Sequence, residues 1–67
     1  MTLKDLKSFY GKHVIIDCFD NIIIEGLFAN FTWAGDNTPE KESITVVHKN
    51  KTHYEIYLDE IKSIKLK

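Results

Sequence analysis

The sequence predicts a mainly β fold in which a short N-terminal helix is followed by a five-stranded, strongly bent barrel. Two observations predict it. Residues 9–28 describe a helix end, a strand, a tight turn and a long strand in that order, and Gly26 interrupts the long strand. The 67 residues are expected to form one domain, 1–67. A chain this short hides only about 60% of its unfolded surface when it folds, so self-association would add stability.

Residues 3–10 are predicted to form a short amphipathic helix, because apolar side chains recur there at helical spacing. Thr2 and Asp5 have the spacing of a capping box with Asp in place of the usual Glu, and Gly11 provides a left-handed stop. A helix of this length is not stable alone in water, so its apolar side must pack on the barrel. That side comprises Leu3, Leu6 and either Phe9 or Tyr10.

Residues 13–19 and 22–33 are predicted to be the first two strands. Asp20 and Asn21 are expected to form a two-residue turn between them, since both residue types tolerate positive φ. The second strand is apolar on both faces, unlike a strand with one solvated face. Gly26 explains this pattern, because a glycine within a strand marks a bulge or a bend, and a bent strand can face the core twice.

The second half of the chain is predicted to contain one polar loop, residues 34–43, and strands at about 44–48, 54–58 and 63–66. An odd-length loop between the first two of these strands places their apolar residues on one face, and a slip of one residue would turn a strand over. That face would contain Ile44, Val46, Tyr54, Ile56 and Leu58. A single helical turn is expected before the last strand, on which Ile64 and Leu66 should point inward.

The composition argues against several classes of function. Nine lysines, no arginine and ten acidic residues give a net charge of −1, which disfavours sequence-specific binding to duplex DNA. The chain has no signal-peptide pattern and no apolar run near the ~20 residues of a membrane span. Cys18 is the only cysteine and is expected to be a buried, reduced thiol. We therefore expect a soluble, cytoplasmic protein without membrane association.

No motif indicates catalysis or a bound cofactor. The serines lie in no nucleophile motif, and no glycine-rich phosphate loop is present. The preferred register places His48 and His53 on opposite faces, and His13 opens a different strand, so we expect no shared metal site. The sequence predicts that the protein is not an enzyme.

The aromatic residues at the end of the long strand are the main candidates for a binding site. Phe31 and Trp33 could stack on a base of single-stranded RNA, and nearby side chains could bond the base edge. The candidate polar contacts are Asn30, Thr32 and Asn37. Alternatively, the two rings pack under the loop or against a neighbouring subunit. Lys49 and Lys51 could contact phosphates, or they could simply discourage aggregation at an edge.

The sequence also resembles the Sm-like family of small SH3-like barrels, which includes the bacterial RNA chaperones of the Hfq type. Residues 10–16, the turn at Asp20 and Asn21, and Gly26 with Leu27 are similar to the first half of that fold. Residues 56–58 and 61–64 are similar to its closing strands. The resemblance implies a short N-terminal helix followed by a bent five-stranded barrel.

The resemblance further implies that subunits assemble into rings by pairing the fourth strand of one copy with the fifth strand of the next. The mating edges here would be residues 54–58 and 63–66. The turn before the last strand carries Asp59 and Glu60, where the family has a basic pair. We expect a non-catalytic subunit that binds single-stranded RNA weakly within a homo-oligomer. The alternative is an interaction barrel that binds a peptide or a partner subunit through Trp33, Tyr57 and the 34–43 loop.

Overall fold

The computed structural model describes residues 2–36 and 41–67 and confirms the mainly β class. The helical elements are α1 (Leu3–Leu6) and three 3₁₀ turns, Lys7–Phe9, Ala34–Asp36 and Leu58–Glu60. The strands are β1 (His13–Cys18), β2 (Ile23–Thr32), β3 (Ser43–Val47), β4 (His53–Tyr57) and β5 (Ile61–Leu66). In the described ranges, no helix has the length and apolarity needed to cross a membrane.

The five strands form one antiparallel sheet with the order β4-β3-β2-β1-β5. The long strand β2 serves two neighbours in succession, because residues 23–27 pair with β1 and residues 27–32 pair with β3. Within the described residues β4 and β5 each have a single neighbour, so the sheet is not closed. The predicted barrel is therefore confirmed only as a five-stranded antiparallel sheet with a short N-terminal helix.

The core lies on one side of this sheet, which we call the core face; the opposite side is the outer face. Alternate residues of β1 point into the core, and Leu6 of α1 is fully buried against them, as the helical spacing predicted. Leu3 and Phe9 pack beside it, whereas Tyr10 stays half exposed. The buried apolar residues are Leu6, Val14, Ile16, Cys18, Phe28, Ile44, Val46, Ile56, Leu58 and Ile61.

The N-terminal helix is shorter than predicted. Its α-helical part covers one turn, and the chain then tightens into the 3₁₀ turn, a common way for a short helix to end. The capping box is confirmed: the Asp5 N–H donates to Thr2 Oγ1 at 3.3 Å, and the Thr2 N–H donates to Asp5 Oδ2 at 3.0 Å. Gly11 has a φ of +78° and ends the segment as expected.

The turn between β1 and β2 differs from the predicted two-residue turn. The Cys18 N–H donates to the Ile22 carbonyl at 2.9 Å, which leaves three residues, 19–21, in the loop. Asn21 alone takes a positive φ, +67°, so the loop is a tight turn closed by one left-handed residue. A two-residue turn would have paired Phe19 with Ile22 and reversed the faces of one strand. The observed loop instead takes Phe19 out of β1 and exposes it.

Gly26 has a different main role from the one predicted. The strand does change partner beside it, but the extra residue of the bulge is Ala29, because Phe28 pairs with Val46 and Asn30 pairs with Thr45. A Cβ atom on Gly26 would collide with the carbonyl oxygen of Val47 and would lie 2.9 Å from Val46 Cγ1. Gly26 is therefore the residue that lets β3 approach β2 closely.

The predicted register of the β3–β4 hairpin is confirmed. Ile44 lies opposite Ile56, and Val46 lies opposite Tyr54, all on the core face. The loop again closes with a left-handed residue, Lys51, whose φ is +69°. Two residues predicted to point inward are nevertheless exposed, Tyr54 on β4 and Leu66 on β5. Both lie on edge strands, which have a neighbouring strand on one side only, so no strand packs beside these side chains on the other side.

The free edge of β4 can be assigned from one flanking hydrogen bond. The Leu58 N–H donates to the Glu42 carbonyl at 3.0 Å. Antiparallel pairs alternate between hydrogen-bonded and non-hydrogen-bonded, so the N–H and C=O groups of His53, Glu55 and Tyr57 point away from β3. The Tyr57 N–H donates to Glu60 Oε1 at 3.1 Å, as expected for a group that faces outward.

The free edge of β5 follows from the same alternation. The Lys67 N–H donates to the His13 carbonyl at 3.0 Å. Ile64 and Leu66 therefore direct their backbone groups away from β1. The sheet consequently offers one unpaired backbone edge at each end.

Candidate functional site

A groove of about 780 Å³ lies between α1 and the end of β2. This volume falls in the range of roughly 300–1,000 Å³ typical of ligand sites. One wall is aromatic and is formed by Tyr10, Phe28, Phe31 and Trp33. Thr2, Leu3, Lys4, Lys7 and Glu42 complete the lining. We call this feature the aromatic groove.

The bulge at Ala29 creates the aromatic wall. Residues three apart on a regular strand point to opposite faces, so Phe28 and Phe31 would not normally share a side. The extra residue shifts the alternation of side chains by one position after Phe28. Both rings therefore lie on the core face, Phe28 opposite Val46 and Phe31 opposite Ile44. Asn30 supports this arrangement, because its Oδ1 accepts the Phe31 N–H at 2.9 Å.

The rings form a continuous edge-to-face series. The ring centroids of Tyr10 and Phe28 are 5.6 Å apart, and those of Phe31 and Trp33 are 5.7 Å apart with ring planes at 88°. Phe28 is buried and anchors the series in the core. The other three rings are exposed, by 47% at Tyr10, 38% at Phe31 and 57% at Trp33. The groove therefore presents a fixed apolar surface to solvent.

The charge at the groove comes mainly from α1 and the 3₁₀ turn that follows it. Lys4 and Lys7 are three residues apart, so they lie on the same side of this helical segment and line the groove together. Neither is in an ion pair with any residue of 2–36 or 41–67. Glu42 contributes one acidic group. The groove thus combines an apolar wall with a net positive rim.

The structure separates the predicted polar contacts from the stacking rings. Asn30 and Thr32 alternate with Phe31 and therefore lie on the outer face, in register with Thr45 and Ser43. Tyr57 is in the same cross-strand row as Thr32 and Ser43, so it also lies on the outer face. Asn37 lies outside the described residues.

Tyr57 has its own surroundings on that outer face. Lys41 Nζ lies 5.6 Å from the centroid of the Tyr57 ring and 3.1 Å from Asp59 Oδ2. This contact joins the chain before β3 to the turn before β5. Both charged side chains are at least half accessible, so the ion pair contributes little to stability.

Lys49 and Lys51 are not brought to the aromatic groove. They lie in the loop after Val47, whereas the groove is next to the other end of β3, at Ser43. A strand advances about 3.3 Å per residue, so roughly 15 Å of β3 separates the two ends. Sequence reasoning missed Lys4 and Lys7 as candidate ligand contacts, although their helical spacing was a usable signal.

The described residues give little support for other chemistry. Cys18 is buried, and burial, followed by the nearby charges of Asp20, Glu60 and Asp17, raises the pKa of its thiol. A thiol held neutral in this way is a poor nucleophile. Across residues 2–36 and 41–67, no group of three or more His, Cys, Asp or Glu side chains is placed to hold a metal ion.

Comparison with known proteins does not assign the chain to a family. No protein-family model matches it, and neither a curated protein nor a solved structure is similar enough to match. The function must therefore be argued from the aromatic groove and the open sheet edges.

Proposed function

We propose that the protein is a non-catalytic, Sm-like barrel subunit that self-associates and binds an apolar, acidic segment of a partner protein in the aromatic groove. The observation that carries this proposal is the exposed aromatic wall beside Lys4 and Lys7, neither of which forms an ion pair with a residue that the structure describes. Exposed apolar surface of this kind commonly marks a binding site.

The assembly part of the proposal is supported by the strand order. The sheet ends in β4 and β5, which are the two strands that the Sm-like resemblance assigns to pairing between subunits. Apart from the Tyr57 N–H, their outward backbone groups have no hydrogen-bond partner among the described residues and can form intermolecular hydrogen bonds. Pairing of these edges would also cover Tyr54 and Leu66, which are exposed in the single chain. A ring formed in this way would complete the barrel-like enclosure of each subunit.

The choice of a protein ligand follows from the lining of the groove. Apolar rings gain most from apolar side chains, which lose unfavourable contact with water on binding. Lys4 and Lys7 at the rim favour a segment that also carries carboxylates. A short peptide that alternates Phe or Ile with Asp satisfies both requirements.

Single-stranded RNA is the second candidate, and one observation favours it. Lys4 and Lys7 lie close enough to the aromatic wall to contact a phosphate while a base stacks on Trp33. However, Asn30 and Thr32 lie on the outer face, so they cannot hydrogen-bond the edge of that same base. The groove therefore offers stacking and charge without the polar groups that would recognise a base.

Fluorescence of Trp33, the only tryptophan in the chain, separates the two candidates. The protein is titrated with the Phe/Ile/Asp peptide, with the same peptide carrying Lys in place of Asp, and with uridine-rich and adenine-rich RNA at low and high salt. We expect a blue shift with the acidic peptide and a much weaker response to the basic one. Salt-sensitive quenching by RNA alone would favour the second candidate, because phosphate contacts release counterions.

Two double variants test whether the fluorescence change reports binding in the groove. Substituting Lys4→Ala together with Lys7→Ala should weaken binding of the acidic peptide, because it removes the positive rim. The matched control substitutes Lys49→Ala with Lys51→Ala, which removes the same charge from the β3–β4 loop at the far end of β3. Equal loss in both variants, or no response to any probe, would count against the groove as a binding site.

A further inference from the structure

The loop between β1 and β2 and the first residue of β2 carry strongly exposed apolar side chains outside the groove. Phe19 and Ile23 are each 67% exposed, and Ile22 is 52% exposed. We call these residues the hairpin tip. Turn positions favour small polar residues, so consecutive large apolar side chains at a turn require an explanation. Ile22 and Ile23 point to opposite faces, so the tip presents apolar side chains on both sides, and exposed apolar side chains grouped in this way indicate an interaction site.

The backbone fixes the hairpin tip in this exposed position. The three-residue loop takes Phe19 out of β1, and the Asn21 N–H donates to the Cys18 carbonyl at 3.1 Å. Asp20 Oδ1 accepts the Ile22 N–H at 3.3 Å, which holds the turn from within. The tip is therefore a preformed convex feature, and little ordering would accompany its binding.

The surroundings of the hairpin tip are acidic. Asp17 is the cross-strand neighbour of Ile23, and Asp20 lies within the loop itself. Glu60 is also close, because the Phe19 N–H donates to the Glu60 carbonyl at 3.0 Å. Asp17 and Asp20 therefore give the tip acidic flanks, and the backbone of Glu60 lies beside it.

The hairpin tip and the aromatic groove are complementary in shape, polarity and charge. The tip is convex and apolar with acidic flanks, and the groove is concave and aromatic with Lys4 and Lys7 at its rim. The tip does not line the groove of its own chain. Asp5 of α1 instead lines a separate cleft beside Phe19, so α1 stands between the two surfaces. The tip of one chain can thus reach a groove only on another copy.

We propose that the hairpin tip of one copy docks into the aromatic groove of a second copy, with Asp17 and Asp20 facing Lys4 and Lys7. This inference rests on the proposed function, because it uses the same groove and names its occupant. The contact joins two different surfaces, so it is heterologous and leaves each pair with one free tip and one free groove. Docked tips also compete with the acidic peptide for the groove, and this competition increases with protein concentration.

Trp33 emission measured as a function of protein concentration tests the docking directly. Docking removes water from Trp33, whereas pairing of the β4 and β5 edges leaves the groove open. We expect the wild-type emission to shift to the blue as concentration rises from nanomolar to high micromolar. The double variant Ile22→Ser with Ile23→Ser should lose this shift, and its folding should persist because both side chains are already exposed. An identical shift in this variant would overturn the proposal.

A charge-swap experiment provides an independent test. Lys4→Glu with Lys7→Glu reverses the groove rim, and Asp17→Lys with Asp20→Lys reverses the tip. Each variant alone should associate more weakly by roughly tenfold or more, because like charges then face each other. An equimolar mixture should recover the blue shift, since the reversed tip matches the reversed rim. A mixture that behaves as the sum of its two components would contradict the docking arrangement.

The control variant and the peptide probe separate this inference from the proposed function. Lys49→Glu with Lys51→Glu makes the same charge change away from the groove and should keep the wild-type shift. If the wild type binds the acidic peptide but its emission does not shift with protein concentration, the proposed function stands and the inference fails. If neither the peptide nor the tip affects Trp33, both fail.

Discussion

The ring of Tyr10 stands edge-on to that of Phe31, with centroids 5.6 Å apart and ring planes at 74°. This contact joins the segment after α1 to the end of β2, two parts of the chain that the sheet itself does not connect. It therefore fixes the width of the aromatic groove, and the rings of Phe28 and Trp33 extend the same series on either side.

Substituting Tyr10→Ala should widen the groove and weaken binding of the acidic peptide. Thermal unfolding should show a loss of about 1–3 kcal/mol, because the change removes two aromatic pairs of about 0.5–1.5 kcal/mol each. Tyr10→Phe is the matched control, because it retains the ring and should preserve both binding and stability. If Tyr10→Ala binds the peptide as wild type does, the ring has no role in shaping the groove.

Gly26→Val should destabilise the fold severely. Any Cβ atom at this position meets the Val47 carbonyl and lies 2.9 Å from Val46 Cγ1, so β2 and β3 must separate to accommodate it. We expect a cost of about 1–3 kcal/mol or more, as for an overpacked core site. That cost corresponds to a fall in Tm of roughly 4–8 °C per kcal/mol.

Gly35→Ala is the control for the Gly26 experiment. Among residues 2–36 and 41–67, no atom lies within 4 Å of a Cβ atom placed on Gly35, and the backbone of Gly35 does not require positive φ. Its melting temperature should stay close to that of the wild type. Equal melting of the Gly26 and Gly35 variants would show that β3 does not approach β2 as closely as described.

Proline scanning of β4 tests the proposed assembly. The Glu55 N–H points away from β3, so Glu55→Pro removes an outward donor without breaking the β3–β4 ladder. We expect a folded protein with a lower molar mass by light scattering. Tyr54→Pro removes an N–H that points toward β3 and should instead lower the melting temperature. If Glu55→Pro assembles as the wild type does, β4 is not a mating edge.

The capping box should make stability depend on pH at the acidic end. The hydrogen bond from the Thr2 backbone N–H holds the pKa of Asp5 below its usual value. Because the folded pKa is the lower one, the stabilisation is present above the unfolded pKa of about 3.9 and is lost as pH falls through the folded pKa.

Comparison of the wild type with Asp5→Asn measures this effect. At neutral pH the variant should melt at a lower temperature, and the difference should shrink as the pH falls below about 4. Asp59→Asn provides a reference with the same charge change in an exposed ion pair. A constant difference between wild type and Asp5→Asn across the acidic range would show that the Asp5 charge does not stabilise the cap.

Burial explains which parts of the fold could be predicted from the sequence. A one-residue slip of β3 against β4 would expose Ile44 and Val46, so the hairpin register was determined by the apolar pattern alone. The first turn was less determined, because Asp20 and Asn21 are compatible with either a two-residue or a three-residue loop. Only the pairing of Cys18 with Ile22 distinguishes the two.

The candidate site depends on features that the local sequence does not show. Phe31 and Trp33 were identified as exposed aromatics, and they do line the groove. Helical spacing left either Phe9 or Tyr10 on the core side, because it cannot show that the segment tightens into a 3₁₀ turn before Tyr10. Ala29 gives no sign of the bulge that returns Phe31 to the core face, because that effect depends on the partner strand β3.

The Glu60 carboxylate, which accepts the Tyr57 N–H, limits the growth of the sheet. A strand that pairs with the outer edge of β4 cannot accept the Tyr57 N–H, because the Glu60 carboxylate already accepts it. The intermolecular hydrogen bonds must then end level with Glu55, or the added strand must displace the Glu60 carboxylate. Open β edges are templates for fibril formation, and inward-turned or capping charges restrain it. In the proposed assembly, Glu60 would therefore limit how far along β4 the strand of a second copy can pair.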